Sequence, residues 1–333
     1  MRVTKKRITC LIFAAFSVLL LFLSGLFIGS VRLGFSECLS GLFTGEGQVG
    51  VIVRSLRLPR VLAALVSGAV LAVSGALLQA SLGNALASPS TLGVNSGAGA
   101  AVMLALAFFP GLFALESAFA FFGALLAAVL TLAVGSAAGR SVTGNAVVLS
   151  GVAVGSLFGA VTSFLSLRFP DVLSSYAAFS VGGYAGVYAR DIIFPALLSL
   201  PLISVAFLIT PKLNVLALGD DLARSFGVRV GALRALCVVL AAALASVSVS
   251  FAGLIGFVGL IAPHIASRTV GEDRRLHLPM SALVGASLTL LSDMLGRAVF
   301  APGEIASGVI LSLVGAPFFI ALLITKAGRR QND

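Results

Sequence analysis

The chain has 333 residues, 59% of them hydrophobic and 10% charged, and a mean hydropathy of +1.13. A soluble domain carries roughly a quarter charged residues, so an ordinary soluble enzyme or binding module is excluded and most of the chain is expected to lie in lipid. The net charge of +10 does not argue for nucleic acid, because no extramembrane domain is expected that could hold one; it is read as setting membrane orientation.

The first element is the apolar run that follows "MRVTKKR". Its basic flank is that of a signal peptide, but the run is longer than a signal-peptide core and no A-x-A site follows, so it is expected to stay as the first span. Residues 11–27 are almost unbroken, against the apolar–polar alternation that a barrel strand needs. With this run at 8–29, others follow at 61–80, 92–109, 115–138, 146–167, 192–210, 233–252, 254–266, 278–300 and 305–325. These predict an all-α polytopic membrane protein of about ten transmembrane helices, organised as one unit over 1–333. The eighth run is too short to cross alone. The 37 glycines are scattered through the runs with alanine and serine, as close backbone packing in lipid requires. Cys10, Cys38 and Cys237 are isolated and odd in number, which gives neither a disulfide framework nor a metal-ligand spacing.

An even number of spans puts both termini on one side. With the N-terminus inside, Arg2, Arg140 and thirteen more of the 22 Lys and Arg residues fall on the cytoplasmic side. The exceptions are Arg32, Arg54, Arg57, Arg60, Arg168, Arg190 and Arg297. Four of them share the stretch "VRLGFSECLSGLFTGEGQVGVIVRSLRLPR", tolerated there by chance or held there for a partner. A repeat is also suggested: Arg60 opens an apolar run that reaches Pro89, and Arg234 opens another that reaches Pro263 at the same separation. Five spans lie between their starts, so the halves, about 57–167 and 230–325, would be inverted.

Between the sixth and seventh spans, the loop 211–232 carries "LNVLALGDDLARSFGVRVGALR". Asp220 and Asp221 follow Gly219 as N-cap and first-turn acids do, Leu222, Ala223 and Phe226 make a short apolar stripe, and Gly227 suits a C-terminal stop. A short amphipathic helix outside the membrane is expected, either resting on its own bundle or inserting Phe226 into a groove on a cytoplasmic partner.

Both histidines fall in "FVGLIAPHIASRTVGEDRRLHLPMSALVGA". His264 and His277 lack further ligands at a suitable spacing, so no metal is expected; the segment around "ASRTVGEDRR" is read as a solvated cytoplasmic turn. Asp293 and Arg297, four apart, are expected to pair on one helix face rather than to relay protons. Gln79 is expected to bond a neighbouring helix. No Walker A, G-x-S-x-G or H-E-x-x-H pattern occurs, so no catalytic residues and no nucleotide site are expected in this chain. Any energy for active transport would come from elsewhere.

The segments "RLPRVLAALVSGAVLAVSGALLQASLGNALASPSTLGVNSGAG" and "GFVGLIAPHIASRTVGEDRRLHLPMSALVGASLTLLSDMLGRAVFAPGEIASGVILSLVGAPFF" resemble the permease subunits of type II ABC importers for iron siderophores, haem and cobalamin, the FecCD-like permeases. The likeness runs from Arg57 to Leu323. It implies ten helices with an internal inverted repeat, assembled as a homodimer or with a close relative. Substrate would pass along the dimer interface, and two ATPase subunits, which use ATP and Mg, would sit below. It further implies that Gly219, Asp220, Asp221, Leu222, Ala223, Arg224, Ser225, Phe226, Gly227 and Val228 couple to the ATPase. Arg57, Arg60 and Arg297 would dock a substrate-binding protein through its glutamates, more for encounter and orientation than for raw affinity. An iron chelate, siderophore or haem, is the expected cargo, with cobalamin the alternative and an ion-coupled carrier the rival from another class. The chain departs from the family pattern at Asn84-Ala85, where Asn-Pro is common, at Ser267, where Arg is usual, and in lacking a Trp before the "GG" of "FSVGGYAG".

Overall fold

The computed structural model describes residues 5–29, 33–44, 47–137, 144–301 and 303–330. Arg2, Arg32 and Arg140, used above for orientation, lie outside them. Among the described residues the chain is helical throughout. Its helices are α1 (Lys5–Phe27), α2 (Phe35–Thr44), α3 (Gly47–Val51), α4 (Leu58–Leu82), α5 (Val94–Phe108), α6 (Phe113–Ala137), α7 (Gly144–Arg168), α8 (Leu173–Val181), α9 (Ala189–Leu208), α10 (Thr210–Leu216), α11 (Asp220–Ser225), α12 (Val230–Ala252), α13 (Val258–Val270), α14 (Arg274–Ala298) and α15 (Ser307–Arg330).

Each of the ten apolar runs falls on one of these helices. Among the described residues seven helices are long and apolar enough to cross a membrane, and α5 and α15 carry shorter apolar stretches. The short eighth run becomes α13, thirteen residues long, entered at Phe257 with φ 66. Phe257 is the one non-glycine with positive φ among the described residues, a costly conformation for a bulky side chain. Its ring lies where a methyl at Gly315 of α15 would be, so α13 and α15 hold it.

At the centre α4 packs along α14, α12 and α13. The reason is side-chain size. Gly68 of α4 and Gly285 of α14 face each other so closely that a methyl on either would meet the other's backbone, and a methyl on Gly75 would meet the Gly259 backbone of α13. Buried hydroxyls tie these helices where lipid offers no competing water. Ser67 and Ser248 share a 2.6 Å hydrogen bond, Ser74 donates to the Ala241 carbonyl at 2.6 Å, and Thr289 donates to the Ala64 carbonyl at 2.7 Å. Gln79 extends the pattern to α13, its amide 3.4 Å from the carbonyls of Gly259 and Leu260.

The sequence reading missed α8, whose nine residues are too short to register as a span. Backbone bonds anchor its end: Leu254 donates to the Phe179 carbonyl at 3.1 Å, Gly183 to Ala252 at 2.8 Å, and Gly308 to Gly182 at 3.1 Å. The solvated turn around the histidines also needs correcting. Helix α13 runs to Val270 and α14 starts at Arg274, leaving only residues 271–273 as a turn. His277 is 2% exposed, its Nε2 3.0 Å from the Pro263 carbonyl, and half-buried His264 meets the Phe318 ring edge-on. Arg268 lies in the last turn of α13, where a cation suits the helix C-terminus, and Asp273 caps the start of α14.

Candidate functional site

Two polar constellations lie at opposite ends of the bundle. One end holds the start of α1, α10, α11 and the α13–α14 turn, together with Lys5, Lys6, Arg7, Lys212, Arg224, Arg229, Arg234, Arg268, Arg274 and Arg275; we call it the basic end. The far end holds the end of α1 and the start of α4.

At the far end, Asp293 is 1% exposed and receives two guanidiniums: Arg60 Nε at 2.8 Å and Arg297 Nη2 at 2.9 Å. The Asp293–Arg297 pair expected from their spacing is present. Arg297 also donates to the carbonyls of Ile28 at 2.7 Å and Gly25 at 3.2 Å, at the end of α1. Arg57, 5% exposed, donates to Leu26 at 2.8 Å and to Phe27 at 3.0 Å. The last carbonyls of α1 have no intrahelical donor, so buried guanidiniums are suited to satisfy them. Arg60 reaches furthest outward. Its Nη1 meets Glu304 at 2.7 Å, and that carboxylate is 31% exposed.

The three arginines thus wall a cavity of about 320 Å³, with Glu304, Tyr184 and Leu56 among its other lining residues. The family resemblance grouped Arg57, Arg60 and Arg297, and spacing gave Arg297 its partner Asp293, but no internal partner was expected for Arg57 or Arg60. Glu304 was missed, because nothing in the spacing of residues 60 and 304 signals an ion pair. Arg54, from the same arginine-rich stretch, caps α2 by donating to the carbonyls of Leu42 at 2.8 Å and Phe43 at 2.6 Å.

At the basic end, α11 starts after Gly219 as expected and ends at Ser225, two residues before Gly227. Gly219, with φ 111, takes a backbone shape open to glycine, and Gly227, with φ 78, ends the segment. Ala223 is buried against the bundle, whereas Leu218, Leu222 and Phe226 are 60%, 52% and 68% exposed. These three side chains make an exposed apolar stripe, flanked by Asp221 and Arg224, which pair at 2.9 Å. Phe226 also borders a groove of about 550 Å³ with Lys212, Arg229 and Leu236.

Asp220 does not cap α11. It takes a bidentate pair from Arg234 of α12, at 2.8 and 2.9 Å, and Arg234 Nε donates to the Ser81 carbonyl at the end of α4 at 2.9 Å. Asn214 of α10 makes a second link: its amide donates to Asp273 at 2.8 Å, and its oxygen accepts from the Arg274 backbone at 2.9 Å. Asp273 is the N-cap of α14. Burial raises its carboxyl pKa, but the Asn214 amide and the Arg275 backbone N–H and charge outweigh that and hold it below the ordinary aspartate value. Among the described residues no group of three or more His, Cys, Asp or Glu could hold a metal ion.

Three comparisons bear on these ends. The profile of the FecCD transport family matches residues 17–325. The Fe(3+)-citrate import system permease protein YfmE of Bacillus subtilis is 34% identical over 332 residues, covering 99% of this chain and 98% of that protein. The probable heme-iron transport system permease protein IsdF of Staphylococcus aureus is 36% identical over 301 residues, covering 89% of each. A solved metal-chelate type ABC transporter in an inward-facing conformation superposes with a TM-score of 0.81 at 29% identity, covering 96% of this chain and 99% of that one. A further solved structure, PsaBC from Streptococcus pneumoniae, shares the fold at a TM-score of 0.58 and 17% identity, covering 79% of this chain and 90% of that one.

Proposed function

Since the chain belongs to the FecCD transport family, we propose that it carries an iron chelate, a siderophore or haem complex, inward by alternating access. It is the transmembrane permease subunit of an ABC importer, a transport subunit and not an enzyme. Power comes from separate ATPase subunits that hydrolyse ATP with Mg and dock on the loop 211–232, with residues 219–228 as the contact. The observation that carries this reading is α11, with Leu222 and Phe226 exposed outside the lipid while Ala223 fixes the helix to the bundle. An ion-coupled carrier would instead need carboxylates free to change charge inside the bundle. Asp293, the one buried acid among the described residues, is already neutralised by two guanidiniums.

The remaining assembly follows from the same premise. A second permease copy or close relative covers the apolar face of α7, where Leu149, Leu157, Phe164 and Leu167 are 60–85% exposed. A substrate-binding protein docks at the far end over the cavity of Arg57, Arg60 and Arg297. Arg60 is the contact whose partner can exchange, because Glu304 is partly solvated, while Arg57 and Arg297 hold the frame. The bundle lies in a bacterial or archaeal inner membrane with both termini in the cytoplasm, since the basic end carries the larger share of Lys and Arg. The inverted halves 57–167 and 230–325 find support in α4 and α12. Each carries an arginine in its first turns, and each ends at a glycine of positive φ, Gly83 at 61 and Gly253 at 70.

Uptake of a radiolabelled ferric chelate into proteoliposomes tests this. With the ATPase partner and ATP, uptake should occur and be blocked by vanadate. Uptake driven by an ion gradient without the partner would replace this reading with an ion-coupled carrier.

A further inference from the structure

Helix α11 is too short to transmit a displacement by its own packing. Of its six residues only Ala223 is buried, and Asp221 and Arg224, which pair with each other, are largely solvated. A docked partner that moved α11 would move the membrane helices only through whatever ties the loop to them.

Two such ties are present, and they end on the two helices that form the central seam. Arg234 binds both Asp220 oxygens with one edge of its guanidinium and the Ser81 carbonyl through Nε, so one planar group joins α11, α12 and the last turn of α4. Its side chain is 13% exposed, and that of Asp220 is 35% exposed. The fork of donors is what allows this; an ammonium is a point charge and cannot span the same acceptors in one plane. Asn214 joins α10 to the first turn of α14, using its amide as donor to Asp273 and its oxygen as acceptor from Arg274. From there α4 and α14 run together across the bundle, interlocked at Gly68 and Gly285. They are joined again at the far end by Arg60 and Asp293.

Resting on the proposal that an ATPase docks on residues 219–228, we propose that Arg234 and Asn214 are the positioning residues that transmit its movement. Arg234 carries it into α4 and α12, Asn214 carries it into α14, and the α4–α14 pair passes it to the far end as one body. Neither residue lies in the exposed stripe that would meet the partner. Their loss should therefore uncouple hydrolysis from transport and leave docking in place.

The test uses the full transporter, permease with its ATPase, in proteoliposomes, and reads ATP hydrolysed and chelate moved in the same sample. For Arg234→Gln the ATPase is expected to co-purify and hydrolyse, while chelate moved per ATP falls roughly tenfold, within the range that coupling between distant sites spans. The charge swap Asp220→Arg with Arg234→Asp should recover part of that ratio, and Asn214→Ala should lower it without loss of partner. An unchanged ratio in both Arg234→Gln and Asn214→Ala would overturn the proposal. So would loss of the partner in both, since the ties would then serve docking. If Arg234→Gln fails to fold, Asn214→Ala decides by the same ratio. Phe226→Asp separates the two readings: a partner that still binds this variant refutes docking on α11, whereas a lost partner combined with unchanged ratios refutes transmission alone.

Discussion

Both ends of the bundle pair arginine with aspartate, yet the surroundings give the two pairs different uses. At the far end, Asp293 is 1% exposed, and the Arg60 and Arg297 side chains are 13% and 3% exposed. At the basic end, the Arg234 side chain is as sheltered as that of Arg60, but Asp220 is 35% exposed and sits on a helix with one buried residue, Ala223. A charge removed from the first place strands two guanidiniums in a dry site, so the cluster acts as a frame. A charge removed from the second can be rehydrated, so that pair can serve as a link that works under load.

The largest effect should come from breaking the frame. Asp293→Ala leaves Arg60 and Arg297 without their shared carboxylate, and truncating one partner of a buried pair costs about 3–5 kcal/mol. The chain has no tryptophan, but Cys38 and Cys237 are buried and free, so a thiol-reactive dye reports unfolding directly. The dye should show a markedly lower unfolding temperature for Asp293→Ala, or too little folded chain to measure.

Next comes the seam that joins the two ends. Gly285→Val should cost about 1–3 kcal/mol, as overpacking does, because its side chain would meet the Gly68 backbone and the Ala72 methyl. The same dye assay checks it, and an unchanged unfolding temperature would mean that α4 and α14 are not locked together.

Smaller still is the exposed rim of the far end. Glu304→Gln removes only the outer partner of Arg60, worth about 0–1 kcal/mol for a partly solvated pair. Stability should hardly change. Affinity for the binding protein should rise, because Arg60 loses an internal competitor, and titration of the binding protein against reconstituted permease would show it.

The smallest effect is a pH dependence at the Asn214 link. Asp273 is held below its ordinary value, so its stabilising contribution is fully present above the unfolded-state pKa and is lost as pH falls through the lower folded one. The unfolding temperatures of the protein and of Asp273→Asn should differ by a constant amount at neutral pH and converge on acidification below the usual aspartate range. A gap that stays constant into acid would show that Asp273 is not held below its usual value.

The ten apolar runs, each of which falls on a helix, could be read from the sequence because an apolar run is a local property: about twenty apolar residues suffice to announce a span. Helix α11 was legible for a similar reason, since Gly219, the two aspartates and Gly227 are neighbours in the chain. What escaped was long-range. Arg60 and Asp293 lie 233 positions apart, and Arg60 and Glu304 lie 244 apart, so no local pattern links them. Arg234 meets Asp220 only because α12 folds back beside the loop. The stretch from Ser267 to Arg275 misled for a physical reason: its charges look like those of a loop, although Arg268 lies in the last turn of α13 and Asp273 caps α14.

The central claim is that the basic end receives the ATPase through α11. The direct measurement is co-purification of the ATPase with the permease, with vanadate-sensitive hydrolysis by the reconstituted complex, for the native chain and for Arg224→Glu combined with Phe226→Ala. The account predicts that the double variant folds, keeps its unfolding temperature and loses both partner and activity. An intact complex with unchanged hydrolysis would contradict it and move the coupling surface off α11.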